Sequence, residues 1–301
     1  MQPWVHIVGG GLSGLSLAYA LSQFDELPGD VVISEARTGY RNDRTFSFWF
    51  DDSQRALLQP EYEYASWCLS LQSEAIQHDG QQLKYGIRTA ASVYQQALDA
   101  ISKHPQITIQ QQHLQSKPEA EHVFDSRPPA LTDFRLIQSF VGTEILLPQE
   151  HQLSAVQLME NLTTTANGIE FRYVLPLGAH KLLVEHTEFT RQAGDFDNLR
   201  AHNITWLEQS FGPQYQIIRE EQAHIPMGIK TSQQHWGIPL GARAGMTRAA
   251  TGYGYATIMQ WCHQAARSLV IDNQCVAYKT SALFAYMDAL FLNLIQQRPD
   301  T

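Results

Sequence analysis

Cysteine and positive charge are both scarce in this 301-residue chain. Its three cysteines, Cys68, Cys262 and Cys275, are odd in number and far apart, which excludes a disulfide framework and offers no C-x-x-C metal spacing; reduced thiols and no metal centre are expected. Against 30 Asp and Glu stand 21 Lys and Arg, a net charge of −9 with no basic cluster, so no nucleic-acid partner is expected. No run of eighteen apolar residues is present to span a membrane. The start lacks the basic, apolar and small-residue pattern of a secretory signal, and a cytoplasmic protein is expected. Repeats and low-complexity tracts are missing too. With 44% hydrophobic and 17% charged residues, the composition is that of an ordinary globular protein long enough for two domains.

What is present concentrates at the start. An apolar run, Trp4 to Val8, enters Gly9-Gly10-Gly11-Leu12-Ser13-Gly14 and then the apolar Leu15 to Leu21, a strand, a glycine turn and a helix. Gly9, Gly11 and Gly14 stand at G-x-G-x-x-G spacing. The first lets the chain turn sharply, the second lets a pyrophosphate approach the backbone, and the third lets helix and strand pack closely. A second apolar strand, Val31 to Ser34, ends in Glu35, placed to accept a hydrogen bond from a ribose 2′-hydroxyl. An acid there repels a 2′-phosphate, so the nucleotide expected is FAD or NAD rather than NADP.

Further along, Thr45 to Phe50 alternates aromatic and small polar residues as a half-buried strand does. Asp79-Gly80, between Trp67–Leu71 and Gln81–Tyr85, predicts a hairpin. Val93, Ala97, Leu98 and Ile101 predict a helix over 89–102, with strands at Ile107–Ile109 and Val123–Asp125. Residues 138–190 change to short strands, with a hairpin turn near Gly178, followed by a helix over 195–211 and a strand at Tyr215–Ile218. A second glycine-rich junction follows the apolar Trp236–Leu240: Gly245, Thr251, Gly252 and Gly254 precede a helix reaching about Ile271 and offer a second cofactor contact. The final helix, Ser281 to Gln296, is apolar nearly all round but for Asp288. Core packing and contact with an apolar surface fit it equally. The pattern predicts an α/β protein: a Rossmann-like FAD/NAD-binding domain over 1–125, an inserted, mostly antiparallel-sheet substrate domain over 126–224, and completion of the first domain with C-terminal helices over 225–301.

Several stretches in order resemble the bacterial lycopene β-cyclases, FAD-binding carotenoid enzymes. They are Gly9 to Glu35, Asn42-Asp43-Arg44-Thr45-Phe46-Ser47-Phe48-Trp49, Phe124-Asp125-Ser126-Arg127, Gln138-Ser139-Phe140-Val141-Gly142, Phe171 to Leu177, Leu183-Val184-Glu185-His186-Thr187, Ile225-Pro226-Met227-Gly228 and Thr251-Gly252-Tyr253. The glycine motif is shared by many families; the Tyr-Val-Leu-Pro-Leu hairpin ending in Leu-Val-Glu-x-Thr is far more restrictive. The resemblance implies closure of a β-ring at each linear end of lycopene without net redox change, with FAD in reduced form, NAD(P)H as electron source and Glu185 as the acid. It also implies a peripheral position on the membrane that holds the carotenoid. This chain departs from the pattern at Met159-Glu160, where members carry Asp after the Met, at Phe46, often Trp, and at Ala249-Ala250, usually His-Pro. Members continue past the equivalent of Arg298-Pro299 with a further helical segment.

The chemistry asks for such residues. An alkene is a very weak base, so its proton donor must be neutral at cellular pH and shielded from water, and Glu185 ends the apolar run Leu182-Leu183-Val184. The carbocation that forms has no hydrogen-bonding handle and is stabilised by aromatic faces, with Phe48, Trp49 and Tyr253 as candidates. Glu185 as carboxylate can then take a ring proton back. His186 and Glu188 read as structural. On the same plan stand two alternatives: a flavin monooxygenase or reductase acting on an apolar substrate, and an inactive carotenoid-binding paralogue.

Overall fold

The computed structural model describes residues 2–71, 74–129, 134–228 and 235–297; Arg298 and Pro299 lie outside them. In chain order the first elements are β1 (Val5–Val8), α1 (Leu12–Leu21), β2 (Val31–Glu35), β3 (Thr45–Phe50), α2 (Arg55–Leu58), β4 (Tyr62–Tyr64), β5 (Ser66–Leu71), β6 (Glu74–Asp79) and β7 (Lys84–Thr89). Then come α3 (Ala90–Lys103), β8 (Ile107–Gln111), β9 (His122–Asp125), β10 (Leu136–Leu146), β11 (Val156–Thr165), β12 (Gly168–Pro176) and β13 (Lys181–Thr190). The chain continues through α4 (Phe196–Phe211), β14 (Gln216–Met227), β15 (Ile238–Pro239), a 3-10 turn (Gly241–Ala244), α5 (Tyr255–Asp272) and α6 (Ala282–Gln297).

A five-stranded parallel sheet in the order β15-β9-β1-β2-β8 forms the first layer. Its strands are apolar without alternation because both faces are covered, and Val5, Ile7, Val31, Ile33 and Phe124 are buried together with Leu15, Leu17 and Leu21 of α1. From the C-terminal part, Ile258, Cys262, Ala265 and Leu269 of α5 join the same core, and β15 adds to the sheet edge. The N- and C-terminal segments thus build one layer around the parallel sheet. The three cysteines are free.

A seven-stranded sheet, β14-β10-β13-β12-β11-β5-β6, makes the second layer, antiparallel except for the β11–β5 pair. The hairpin at Gly178 is present, with Gly178 at φ +104, a conformation L side chains rarely adopt. One face of this sheet receives α4. Asn203, fully buried, donates from Nδ2 to the Val184 carbonyl at 2.8 Å and to Thr143 Oγ1 at 2.9 Å, pinning the helix across β10 and β13. The other face looks toward the layer of the parallel sheet. β3, β7 and β4 form a small antiparallel sheet between the two.

Three expectations need correction. Asp79-Gly80 does turn, with the Leu83 N–H donating to the Gly80 carbonyl at 2.6 Å, but the strands it joins lie in different sheets: β6 pairs with β5, and β7 pairs with β3 and β4. The strand expected at Tyr215–Ile218 runs on to Met227, because its polar residues pair along β10. α6 is neither a buried core helix nor apolar outward all round. Asp288, the one charged residue, points inward and is 4% exposed, while Leu283, Phe284, Tyr286, Met287, Leu290 and Leu294 face outward at 46–64%. Arg248 holds Asp288 through Nη2–Oδ1 at 2.6 Å and Nε–Oδ2 at 3.1 Å, and Leu292 and Ile295 pack against Phe171 and Phe189. No helix among the described residues is long and apolar enough to cross a membrane.

Candidate functional site

A cavity of ≈ 640 Å³ runs between the two layers, from the glycine turn to the inner face of the seven-stranded sheet. At one end are Gly11, Leu12 and Ser13. Gly9 turns at φ +99, a conformation suited to glycine, and a Cβ on Gly14 would overlap the Gly9 carbonyl, so helix and strand meet only because both are glycine. Gly11 differs. A Cβ there would find nothing closer than Arg37 Nη2 at 3.7 Å, so the protein does not use its missing side chain, and the space opens into the cavity. No side chain caps α1 and no acid stands in its first turn, leaving the first N–H groups to an anion. Arg37 lies over the same turn, donating from Nη2 to the Gly10 carbonyl at 3.1 Å. The Glu35 carboxylate is buried against it, accepting from Gly10 N–H at 2.6 Å and Arg37 N–H at 2.7 Å, which fixes its position at the end of β2.

The wall continues through the second junction. Thr251 and Gly252 line the cavity, and Gly252, at φ +72, sits so close to Gln138 that a Cβ would lie 2.6 Å from Oε1. Gly254 caps α5 with no side-chain hydrogen bond, a second helix start facing the cavity. Gly245 is not among the lining residues; at φ +71 it closes the 3-10 turn in the left-handed region. Two buried polar atoms in the wall, Ser126 Oγ and Gln138 Oε1, have no partner in the protein. An unpartnered buried oxygen is costly, and both therefore suit a polar ligand in this cavity.

At the far end stands Glu185, half-buried in the wall on β13. The strand register puts Gly142 of β10 directly opposite both Glu185 on one side and Glu221 of β14 on the other. Because Gly142 has no side chain, Glu221 can lean across it; a Cβ on Gly142 would lie 3.0 Å from Glu221 Cγ. Glu221 is 4% exposed and makes an ion pair with Arg219, and the Thr45 hydroxyl donates to its Oε2 at 2.9 Å. Arg219 in turn pairs with Glu144 at 2.6 Å and donates to Thr45 Oγ1 at 2.7 Å. Burial, and after it the Glu221 charge, push the Glu185 pKa up to about 8, against the hydroxyl of Thr187 donating to Oε1 at 2.8 Å. Both causes favour the protonated form of Glu185 at neutral pH.

Aromatic rings line the space beside it. Tyr253 is one of the three candidates named from sequence; Phe48 and Trp49 are not at the surface of the cavity. Phe48 is buried behind it, stacked on Tyr255 at 4.7 Å, and Trp49 packs edge-on to Trp67 and Tyr85. Tyr85 and Tyr173 take their place, and the Tyr85 and Tyr253 hydroxyls share a hydrogen bond of 3.1 Å. Burial raises the pKa of all three tyrosines, so they stay neutral phenols. Sequence reasoning missed Glu221, Gly142 and Arg37 as parts of the site. Arg37 had a local signal, two residues after Glu35; the Gly142 gap depends on cross-strand register and had none.

Residues 5–282 match the model of the lycopene cyclase protein family. The lycopene beta-cyclase of Pseudescherichia vulneris is 34% identical over 123 residues, 38% of this chain and 32% of its own length. That of Pantoea ananas is 33% identical over 122 residues, with the same shares. These alignments thus span about a third of the curated relatives' length. Among solved structures, a geranylgeranyl bacteriochlorophyll reductase-like protein from Thermoplasma acidophilum superposes with a TM-score of 0.64 at 12% identity, covering 99% of this chain and 85% of that one. A putative FAD-containing monooxygenase from Photorhabdus luminescens gives 0.56 at 10% identity, covering 98% and 96%. Those likenesses establish the shared α/β architecture, and the family match across nearly the whole chain establishes the rest: the protein belongs to the lycopene cyclase family.

Proposed function

We propose that this protein closes the linear ends of lycopene into β-rings, with Glu185 as proton donor and reduced FAD, replenished by NAD(P)H, in the same cavity. One observation carries the reading: a single cavity has a glycine cradle for a pyrophosphate at one end and, at the other, a carboxyl group that keeps its proton at neutral pH. The names of the curated relatives support the substrate. Residues 1–125 and 225–301 would hold the cofactor, and 126–224 the carotenoid, with β5 and β6 extending the substrate sheet.

For the cofactor, the Gly9–Gly14 turn and the start of α1 receive the pyrophosphate, and Glu35 keeps lone pairs for a ribose hydroxyl. Gly245, Thr251 and Gly252 belong to the second junction, of which Thr251 and Gly252 reach the cavity. Bound and reduced, FAD supplies an electron-rich ring system toward positive charge in the polyene. Glu185 gives its proton to the terminal double bond, the neighbouring double bond closes a six-membered ring onto the cation, and the Glu185 carboxylate takes a proton from the ring. Atoms and electrons balance, so the reaction is an isomerisation. Tyr85, Tyr173 and Tyr253 face the cation with their π systems, and the Glu221 carboxylate, fixed by Arg219 and Thr45, adds a negative charge that does not move.

Lycopene is confined to the bilayer, and with no helix among the described residues long and apolar enough to cross it, the reading puts the enzyme at its surface. The outward apolar residues of α6 supply a face for lipid. The Arg248–Asp288 pair ties that helix to the loop bearing Thr251 and Gly252 in the cavity wall. Cytoplasmic synthesis with peripheral docking follows.

Three outcomes test this. Gly11→Val fills the open cradle and should leave the purified protein colourless where the parent is yellow with FAD; a variant that still holds FAD removes the cradle. In a lycopene-accumulating bacterial host, the chain should yield β-carotene, and Glu185→Gln should lower the rate by about a hundred- to ten-thousandfold while FAD stays bound. Undiminished cyclisation by that variant would move the proton donor elsewhere, and an FAD-loaded parent that leaves lycopene unchanged would overturn the activity. Replacing the exposed Leu283, Leu290 and Leu294 by Asp should abolish flotation with liposomes without loss of FAD; unchanged flotation would exclude α6 as the contact.

A further inference from the structure

The face of the seven-stranded sheet turned away from the cavity carries a second group of convergent side chains. Alternation along β13 sends His186 to the side opposite Glu185, and along β12 it sends Glu170 and Arg172 opposite Phe171 and Tyr173. α4 crosses this face, and the Asn203 hydrogen bonds to Val184 and Thr143 fix its register. The preceding residue, His202, is set so that its Nδ1 lies 3.3 Å from His186 Nε2, while His186 Nε2 lies 3.8 Å from Glu170 Oε2. One donor atom from each of the three residues lies within 4.8 Å of the other two.

We propose that Glu170, His186 and His202 form a site for a divalent transition metal of the Zn²⁺ class, clamping α4 to β12 and β13. Two imidazoles and a carboxylate are the donor set such borderline ions prefer over Mg²⁺ or Ca²⁺. Zn–N bonds of about 2.0–2.1 Å at tetrahedral angles separate two nitrogens by about 3.3–3.4 Å, the spacing His186 and His202 already have. Their rings are perpendicular, at 87°, so the two nitrogens meet without stacking. A surface cavity of ≈ 280 Å³ lined by these three residues with Asn161 and Gln209 gives the ion an entry path and leaves space for water at the open position.

Arg172 is the opposing charge. Its Nη2 lies 3.4 Å from His186 Nδ1, and metal on Nε2 places the ring proton on Nδ1, so that weak contact is given up. Arg172 keeps its ion pair with Glu160 at 2.8 Å and its place over the Trp206 ring at 4.9 Å. The Glu160 carboxylate therefore offsets its charge beside the ion.

The test uses the purified 301-residue chain, stripped with chelator and dialysed. Calorimetry should give one Zn²⁺ per chain, Zn²⁺ should raise the melting temperature where Mg²⁺ does not, and Co²⁺ should show the visible absorption of a four-coordinate site that Zn²⁺ bleaches. His202→Ala removes an exposed ligand without opening the core and should weaken Zn²⁺ by more than the about tenfold to hundredfold that losing an outer partner costs. Glu170→Gln should act likewise, and Glu185→Gln, on the other face, should leave Zn²⁺ binding unchanged whether or not the chain cyclises lycopene. Absence of Zn²⁺ binding overturns the site, as does a stoichiometry and thermal shift equal in parent and His202→Ala, which would assign the ion to other histidines or to the thiols.

Discussion

Burial in a cavity wall keeps the proton on a carboxyl group at neutral pH, and a nearby carboxylate pushes the same way. The β10–β13–β14 register supplies that pair by placing Glu185 and Glu221 on either side of Gly142, the one position where a missing side chain lets the second carboxylate lean toward the first. Arg219 and Thr45 both bind Glu221, and Arg219 is itself held by Glu144. Glu185 has one hydroxyl partner, Thr187, and burial does the rest. The two carboxyls differ in partners rather than in kind, and that difference separates an acid from a fixed negative charge.

The rest of the architecture brings the glycine turn and the uncapped start of α1 to the same cavity as that acid. Glycine works differently at three points of the first turn: Gly9 turns the chain, Gly14 permits contact between helix and strand, and Gly11 leaves space that opens into the cavity. The second junction returns the chain from the far end of the molecule to the same cavity, with Gly252 pressed against Gln138. α6 inverts the usual rule for a surface helix, hiding its charge and showing its leucines. That arrangement holds because the Asp288 carboxylate is fully engaged by Arg248 and the Ala249 N–H at 3.2 Å.

Much of this was legible because its signals are local. The glycine spacing, Glu35 at the end of β2, the helix over 90–103 with its Thr89 cap, and the Gly178 hairpin each follow from a few adjacent residues. Glu185 was legible only together with the motif around it, and it does not end the apolar strand as expected but stands in the middle of β13, which runs on to Thr190 because its residues pair along β10 and β12. What depends on register between distant strands was not: the Gly142 gap, the partner of β6 beyond Asp79-Gly80, and the choice of Tyr85 and Tyr173 over Phe48 and Trp49 at the wall. Alternation in β3 was read correctly as a strand, yet which rings meet the cavity is decided by β7 and α5 packing against it. His186 had the simplest signal, one residue from Glu185 and so on the opposite face, but its partners come from β12 and α4.

The most direct measurement is an infrared titration of the purified protein from about pH 5 to about pH 10, taken as the difference between the parent and Glu185→Gln, which follows the carboxyl C=O band of this one residue and needs no substrate. A carboxyl raised by burial and by Glu221 is protonated below its pKa and loses the proton as pH rises through it. The band should therefore be present at pH 7 and disappear with a midpoint near 8. A midpoint near the ordinary 4.5, with no protonated band at pH 7, would contradict the account.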